Sequence, residues 1–192
     1  SDMEYPFLYD AATSISQRGK IEVLGRANKP TPEGWAIDHE GKVCTETKQL
    51  LVDLVNKDAA MVGLGGLEEH TGGHKGYGLA MMVEILSAAL QSGKYLGNVS
   101  GYDEDGEQVP HCLGHYFQAI DISAFTGVDE FKKITGDIMR QMQESPKRPD
   151  KDRIYVAGEK EYYIEQNVRK NGIEVNEALE KNLKIMISEL NL

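Results

Sequence analysis

Sixteen residues set the terms for the whole chain: Gly63-Leu64-Gly65-Gly66-Leu67-Glu68-Glu69-His70-Thr71-Gly72-Gly73-His74-Lys75-Gly76-Tyr77-Gly78, seven of them glycine. Glycine reaches positive φ without a Cβ clash and lets other groups approach the backbone closely. An apolar run over residues 79–90 follows at once, rich in Ala, Leu and Met, with Glu84 its single charge and Gly93 just beyond. That composition predicts a helix over 79–90, buried on most faces. A glycine-rich loop feeding a helix start is an anion site, because the first turn leaves N–H groups unpaired and the helix dipole favours negative charge there. Lys75 and His74 add donors at that point. The composition fits equally a flexible loop ahead of a core helix. The order of residues excludes a Walker A loop, and G-x-G-x-x-G after a strand is also absent.

The remaining elements follow from apolar periodicity. Strands are expected over residues 5–9, 35–38, 59–64 and 153–156, with a central strand in the run 111–122. Helices are expected over 22–29, 45–57, 128–143, from Gly158 towards Asn171, and 176–190. Asp10 and Thr13 are candidate helix caps, and residues 39–42 read as a hairpin-like turn. Trp35, the sole tryptophan, is expected as a core anchor, and Phe131, Ile134, Ile138 and Met142 as a core stripe. His115 reads as a satisfied core or edge histidine. Asp103-Glu104-Asp105-Gly106 reads as a solvated turn, since the spacing of a calcium loop is missing. The last helix carries an apolar stripe, Leu179, Leu183, Met186, Ile187 and Leu190, that must pack on something.

At 192 residues the chain can bury a substantial core, and one domain is the default. A net charge of −10 opposes nonspecific nucleic-acid binding, which depends on Lys and Arg. Cys44 and Cys112 match neither a metal spacing nor a disulfide framework, and read as ordinary thiols in a reducing compartment. The five histidines do not form a zinc motif, so no metal is expected. No apolar run reaches the ~18 residues of a membrane span, and no signal peptide is seen. The opening Ser1-Asp2-Met3-Glu4 runs almost directly into an apolar strand, which suggests a fragment or processed chain with an earlier region missing.

Several stretches together resemble a known family. They are His74-Lys75-Gly76-Tyr77-Gly78-Leu79 running on to Val83-Glu84-Ile85-Leu86, Asp10-Ala11-Ala12-Thr13-Ser14 followed by Gly19-Lys20-Ile21, residues 32–41, and the run Gly114-His115-Tyr116-Phe117. In this order they resemble the malate/L-lactate dehydrogenase family, the non-Rossmann type that includes ureidoglycolate and sulfolactate dehydrogenases. The resemblance implies an α/β fold with a mixed, largely antiparallel sheet flanked by helices. It implies an NAD or NADP cofactor, with Asp10, Ala11 and Ala12 lying against the nicotinamide and Asp10 helping to orient or polarise the reacting end. His74, Lys75 and the glycine loop are then expected at the cofactor phosphates. The turn Gly158-Glu159-Lys160 is expected to touch the cofactor too. Two departures are local: Thr45-Glu46-Thr47 replaces a Thr-Asp-Pro turn, and Ala157 replaces the proline of a Pro-Gly-Glu turn.

The resemblance also implies what these residues lack. The family's acid/base histidine and substrate arginine come from an N-terminal part without a counterpart here, and none of His39, His70, His74, His111 or His115 matches its motif. Residues 1–172 are therefore expected to be the cofactor-binding domain. Residues 173–192 are expected to be a helix packing on the missing region or on a partner subunit. Malate is the first expected substrate, with L-lactate or ureidoglycolate next. The protein is expected to be a cytoplasmic homodimer, and this chain alone nearly inactive. A non-catalytic nucleotide-binding or dimerisation module is the competing class.

Overall fold

The computed structural model describes all 192 residues. The chain divides into two compact units, a central one over Ala12–Gln118 and a terminal one built from Ser1–Ala11 and Ala119–Leu192.

In the central unit, α1 (Arg18–Arg26), β1 (Ala36–Asp38), α2 (Thr47–Asn56), β2 (Ala59–Met61) and α3 (Gly73–Ala88) follow in order. β1 and β2 pair antiparallel, with Ala36 opposite Met61 and Asp38 opposite Ala59. Ile21 and Leu50, at 0% and 1% exposure, close the core with Ala36, and Trp35, Leu51, Leu54, Ala59 and Met61 pack around them. Trp35 packs against this core but is itself only half-buried. The hairpin turn forms as expected: the Asp38 N–H donates to Lys42 O at 2.9 Å, and the Asp38 carboxylate accepts the N–H groups of Glu40 and Lys42, each at 2.9 Å. Those two bonds, Lys42's first, hold the Asp38 pKa below the usual carboxylate value.

Helix α1 starts four residues before the expected 22–29 helix and runs through Gly19. Its N-cap is Gln17, so neither Asp10 nor Thr13 caps it. Burial explains the shift, because Ile21 must face α2, and Gly25 lies so close that a Cβ there would meet Leu51 Cδ1 at 3.0 Å. Tertiary packing outweighs local propensity here.

The terminal unit holds α4 (Val128–Glu144), α5 (Glu159–Asn171) and α6 (Glu177–Leu190). The Asn176 side chain caps α6 by accepting the Leu179 N–H at 2.9 Å. The expected core stripe on α4 is a correction: Phe131, Ile134, Ile138 and Met142 are all exposed, and Gly136 and Met139 are buried instead. Residues 1–8 account for this, because they lie on the opposite face of α4. The Asp2 N–H donates to Lys132 O at 3.1 Å, and Arg140 donates to the Asp2 carboxylate at 3.0 and 3.3 Å. Tyr5 is buried against Tyr162 and Tyr163, with ring centroids 5.4 and 6.1 Å away.

The Arg140 contact holds the Asp2 carboxyl below its ordinary value. A depressed carboxylate adds stability that is present above its unfolded pKa of about 3.9 and is lost as pH falls through the lower folded value. Asp2→Asn should therefore remove part of the acid dependence of unfolding below about pH 4, as read by denaturant melts at pH 2–5.

Three expected strands do not form ladders. Residues 5–9 bond to the backbone just past 153–156 once, Leu8 N–H to Ala157 O at 3.1 Å, and the run 111–122 has no strand pairing. Strand propensity reflects fit to a pleated, half-buried surface, and backbone meets these runs only at single points, such as Lys94 N–H on Cys112 O at 3.1 Å, not along an edge. Beside His115 the Gln91 side-chain amide substitutes for a strand, accepting the His115 N–H at 3.4 Å and donating to His115 O. His115 itself is exposed and stacks on Phe117, so it is no core histidine. The apolar helix α3 is likewise exposed along Met81, Met82, Val83 and Ile85, against the expected burial. No helix is long and apolar enough to cross a membrane.

Candidate functional site

The glycine-rich stretch folds back on itself. Gly65, Gly66 and Gly72 all take positive φ, at 88°, 84° and 89°, around a short 3-10 turn at Glu69–Thr71. The loop is packed tightly: a Cβ on Gly65 would overlap Gly72 O, one on Gly73 would overlap Gly66 O, and one on Gly76 would overlap Leu64 O. Close backbone approach is thus within the chain itself, which the sequence alone could not distinguish from approach by a ligand.

Helix α3 begins at Gly73, six residues before the expected start, so His74 and Lys75 stand in its first turn. Two first-turn amides are used locally, Gly73 N–H on Glu68 O at 3.0 Å and Lys75 N–H on Gly72 O at 2.9 Å. The charge of Lys75 therefore carries a larger share of any anion attraction than the amides do. Its side chain is exposed, with its Cδ beside Gly72, and no carboxylate lies within ion-pair distance of its ammonium.

Beside this turn lies a cavity of about 620 Å³ lined by Thr13, Gly63, Glu69, His74 and Tyr77 among others. A second, more apolar one of about 730 Å³ shares Thr13, Tyr77 and Ala80 and runs along α3 past Met81 and Ile85 to Leu96. Glu84, the lone charge of α3, accepts the Leu96 N–H at 2.6 Å and so fixes that end. His74 lines the first cavity, and Lys75 lines neither. None of Thr13, Glu69 and Tyr77 was given a site role from the sequence: Thr13 was read as a helix cap, and Thr13 and Tyr77 otherwise only as parts of the family stretches. Helical spacing from Gly73 would have placed Tyr77 beside it one turn on, had the true helix start been legible.

In the terminal unit, Gly158 is the N-cap of α5, with φ +92°. A Cβ there would stand 2.9 Å from Leu8 Cβ and 3.0 Å from Pro6 O, so glycine is required on both counts. Glu159 is fully buried and points inward: Arg153 Nη2 donates to Oε1, while Gln143 Nε2 and the Val156 N–H donate to Oε2 at 2.7 and 3.2 Å. All its donors are protein groups. Lys160 is exposed, with Nζ 4.6 Å from the Tyr155 ring centroid, a cation–π distance. Asp10 and Ala11 are exposed at the end of the first terminal-unit segment, and Ala12 is half-buried at the start of the central unit. His74 and Lys75 are brought together in one helical turn, and Gly158, Glu159 and Lys160 in another.

The central unit thus combines a small antiparallel sheet, a glycine-folded helix start with Lys75 in its first turn, and a cavity beside that turn. Residues 1–184 match the family described as malate/L-lactate dehydrogenase, and the chain belongs to that family. It is 39% identical over 170 residues to a malate dehydrogenase of Pyrococcus horikoshii, covering 88% of this chain and 45% of that protein. An L-sulfolactate dehydrogenase of Methanocaldococcus jannaschii is 33% identical over 190 residues, covering 98% of this chain and 50% of that protein. The crystal structure of a malate dehydrogenase from Entamoeba histolytica superposes with a TM-score of 0.92 at 38% identity, covering all of this chain and 53% of that one. The chain thus spans about half the length of the relatives it matches.

Proposed function

We propose that residues 1–192 supply the cofactor-binding part of an NAD- or NADP-dependent oxidoreductase of small 2-hydroxy acids. Malate, oxidised to oxaloacetate, is the first substrate, ahead of L-lactate or ureidoglycolate. The observation that carries this reading is the family match over residues 1–184, with identities of 39% and 37% to two malate dehydrogenases. The reaction moves a hydride from the substrate C2 to the nicotinamide and a proton from its hydroxyl to a base. It also needs a cation for the substrate carboxylate and donors for the cofactor phosphates. Lys75 is assigned to the phosphates, with His74 as a second donor, and its exposed, unpaired ammonium at a helix N-terminus suits that role. Asp10, Ala11 and Ala12 are assigned to the nicotinamide end, and the turn Gly158-Glu159-Lys160 to a further cofactor contact. The base and the carboxylate-binding cation are assigned to no residue here.

Residues 1–172 act as the cofactor-binding portion in this reading. Residues 173–192 form a helix packed on further polypeptide or on a partner subunit of a cytoplasmic homodimer. The exposed apolar stripe of α6, from Leu179 to Leu190, supports that packing. The 192 residues alone should bind cofactor weakly and turn over little. Single-turnover reduction of NAD with excess malate tests this: no burst of NADH is expected, and vigorous formation from these residues alone would refute it.

A non-catalytic nucleotide-binding or dimerisation module is the second reading, and the internal use of the loop glycines favours its dimerisation form. NADH titration of the natural-length polypeptide, followed by fluorescence, separates the two. Binding coupled to malate oxidation supports the enzyme, whereas the module reading gives no malate-dependent NADH.

A further inference from the structure

Glu159 is the most completely enclosed ionisable group in the terminal unit, and no reacting group can reach it. Its side chain is 0% exposed. One carboxylate oxygen takes the Arg153 guanidinium, and the other takes Gln143 Nε2 at 2.7 Å and the Val156 N–H at 3.2 Å. Gln143 Nε2 also donates to Tyr5 Oη at 2.9 Å. One carboxylate thereby ties together the segment carrying Tyr5, helix α4 through Gln143, the run 153–156, and the first residue of α5. Between Val156 and Glu159 the backbone turns through Gly158 at φ +92°, a conformation with no side-chain packing of its own to hold it. A buried charge is kept only where its partners satisfy it, and then it specifies one arrangement of the groups around it.

We infer that Glu159 is a positioning residue: through Arg153, Gln143 and the Val156 amide it sets the Gly158 turn, and so places the ammonium of the next residue, Lys160, for an anionic cofactor. Lys160 is the exposed member of this turn, held over Tyr155, whose ring also meets Arg153 at 5.2 Å. Loss of the carboxylate leaves the Arg153 guanidinium, the Val156 N–H and the Gln143 amide facing another donor. The turn then relaxes, and Lys160 is no longer fixed. The inference rests on the proposed contact between this turn and the cofactor, and it changes the part of Glu159 from ligand to support.

The test uses the natural-length polypeptide carrying Glu159→Gln, the exchange variant Gln143→Glu with Glu159→Gln, Gln143→Met, and Lys160→Ala. Far-UV circular dichroism confirms folding, NADH titration gives Kd, and steady-state kinetics give kcat and the cofactor KM. Folded Glu159→Gln should raise Kd and cofactor KM about tenfold with kcat within twofold, and the exchange variant, which restores the 143–159 contact but leaves the Val156 N–H or Arg153 facing an amide NH2, should recover only part of that loss. If Glu159→Gln does not fold, Gln143→Met is decisive, with an expected rise in Kd of about threefold. An unchanged cofactor KM in the folded variants, or a fall in kcat alone, overturns the inference. If Lys160→Ala weakens NADH binding while Glu159→Gln and Gln143→Met do not, the cofactor contact stands and the positioning role falls. If Lys160→Ala has no effect, the contact itself is wrong and the inference falls with it.

Discussion

Alanine at position 76 is expected to destabilise the central unit by about 3 kcal/mol or more, in the range of severe overpacking. In an exposed helix the same change gains about 1 kcal/mol, because alanine loses less backbone freedom than glycine. The sign is reversed here because Gly76 is buried and its missing Cβ leaves the space occupied by the carbonyl oxygen of Leu64. That oxygen belongs to backbone pinned on both sides. The Leu64 N–H donates to Thr13 O at 3.0 Å, and Ser14 bridges to Gly63. Neither α3 nor the strand end can give way without breaking these bonds. Gly78 lies two residues on in the same helix and would meet nothing within 4 Å. Gly78→Ala is therefore the internal control, expected to be neutral or stabilising by up to about 1 kcal/mol. Urea denaturation of both variants decides the matter through their midpoints at unchanged slope. Equal effects would show that Gly76 is not a packing glycine.

Lys75→Ala should weaken NADH binding by the natural-length polypeptide by one to two orders of magnitude. A hydrogen bond to a charged group contributes about 1.5–3 kcal/mol, and each 1.4 kcal/mol is tenfold in affinity. The larger part of the effect is assigned to the side chain, since the Gly73 and Lys75 amides already have partners in Glu68 O and Gly72 O. Lys75→Arg keeps the charge and should retain most of the affinity. The wild-type Kd should also rise with salt, more steeply than that of Lys75→Ala, because an exposed ammonium is screened within about 10 Å at 0.1 M ionic strength.

The helices were legible wherever apolar periodicity and caps agreed. Helix α2 is marked by Leu50 and Leu54 on its buried side, and α6 by Asn176 at its start. Those signals are local, and local chemistry satisfies them. Which face of a helix turns inward depends on what the chain brings against it. On α4 the large apolar residues suggested the wrong face, because the segment from Asp2 to Tyr5 lies over Gly136 and Met139. Strands fared worst, since a ladder needs a partner edge: β1 finds β2, whereas residues 111–122 find the Gln91 side chain and a single backbone donor, the Lys94 N–H on Cys112 O at 3.1 Å.

At the site, the clustering of His74 and Lys75 was legible, and so was the turn Gly158-Glu159-Lys160 ahead of a helix. The start of α3 was not, because Gly72 and Gly73 read as loop although their backbone closes a helix turn. Nor was the inward aim of Glu159 legible. Only the fold brings Gln143, sixteen residues earlier, and Arg153, six residues earlier, to the two oxygens of one carboxylate.

The account turns on an unpaired ammonium at the first turn of α3 holding the diphosphate of a dinucleotide. A crystal of the natural-length polypeptide soaked with NADH tests this directly. The diphosphate is predicted within about 4 Å of Lys75 Nζ, the range of an ion pair. Well-defined cofactor density with its phosphates on other cations, and the Lys75 amine left in solvent, would contradict it.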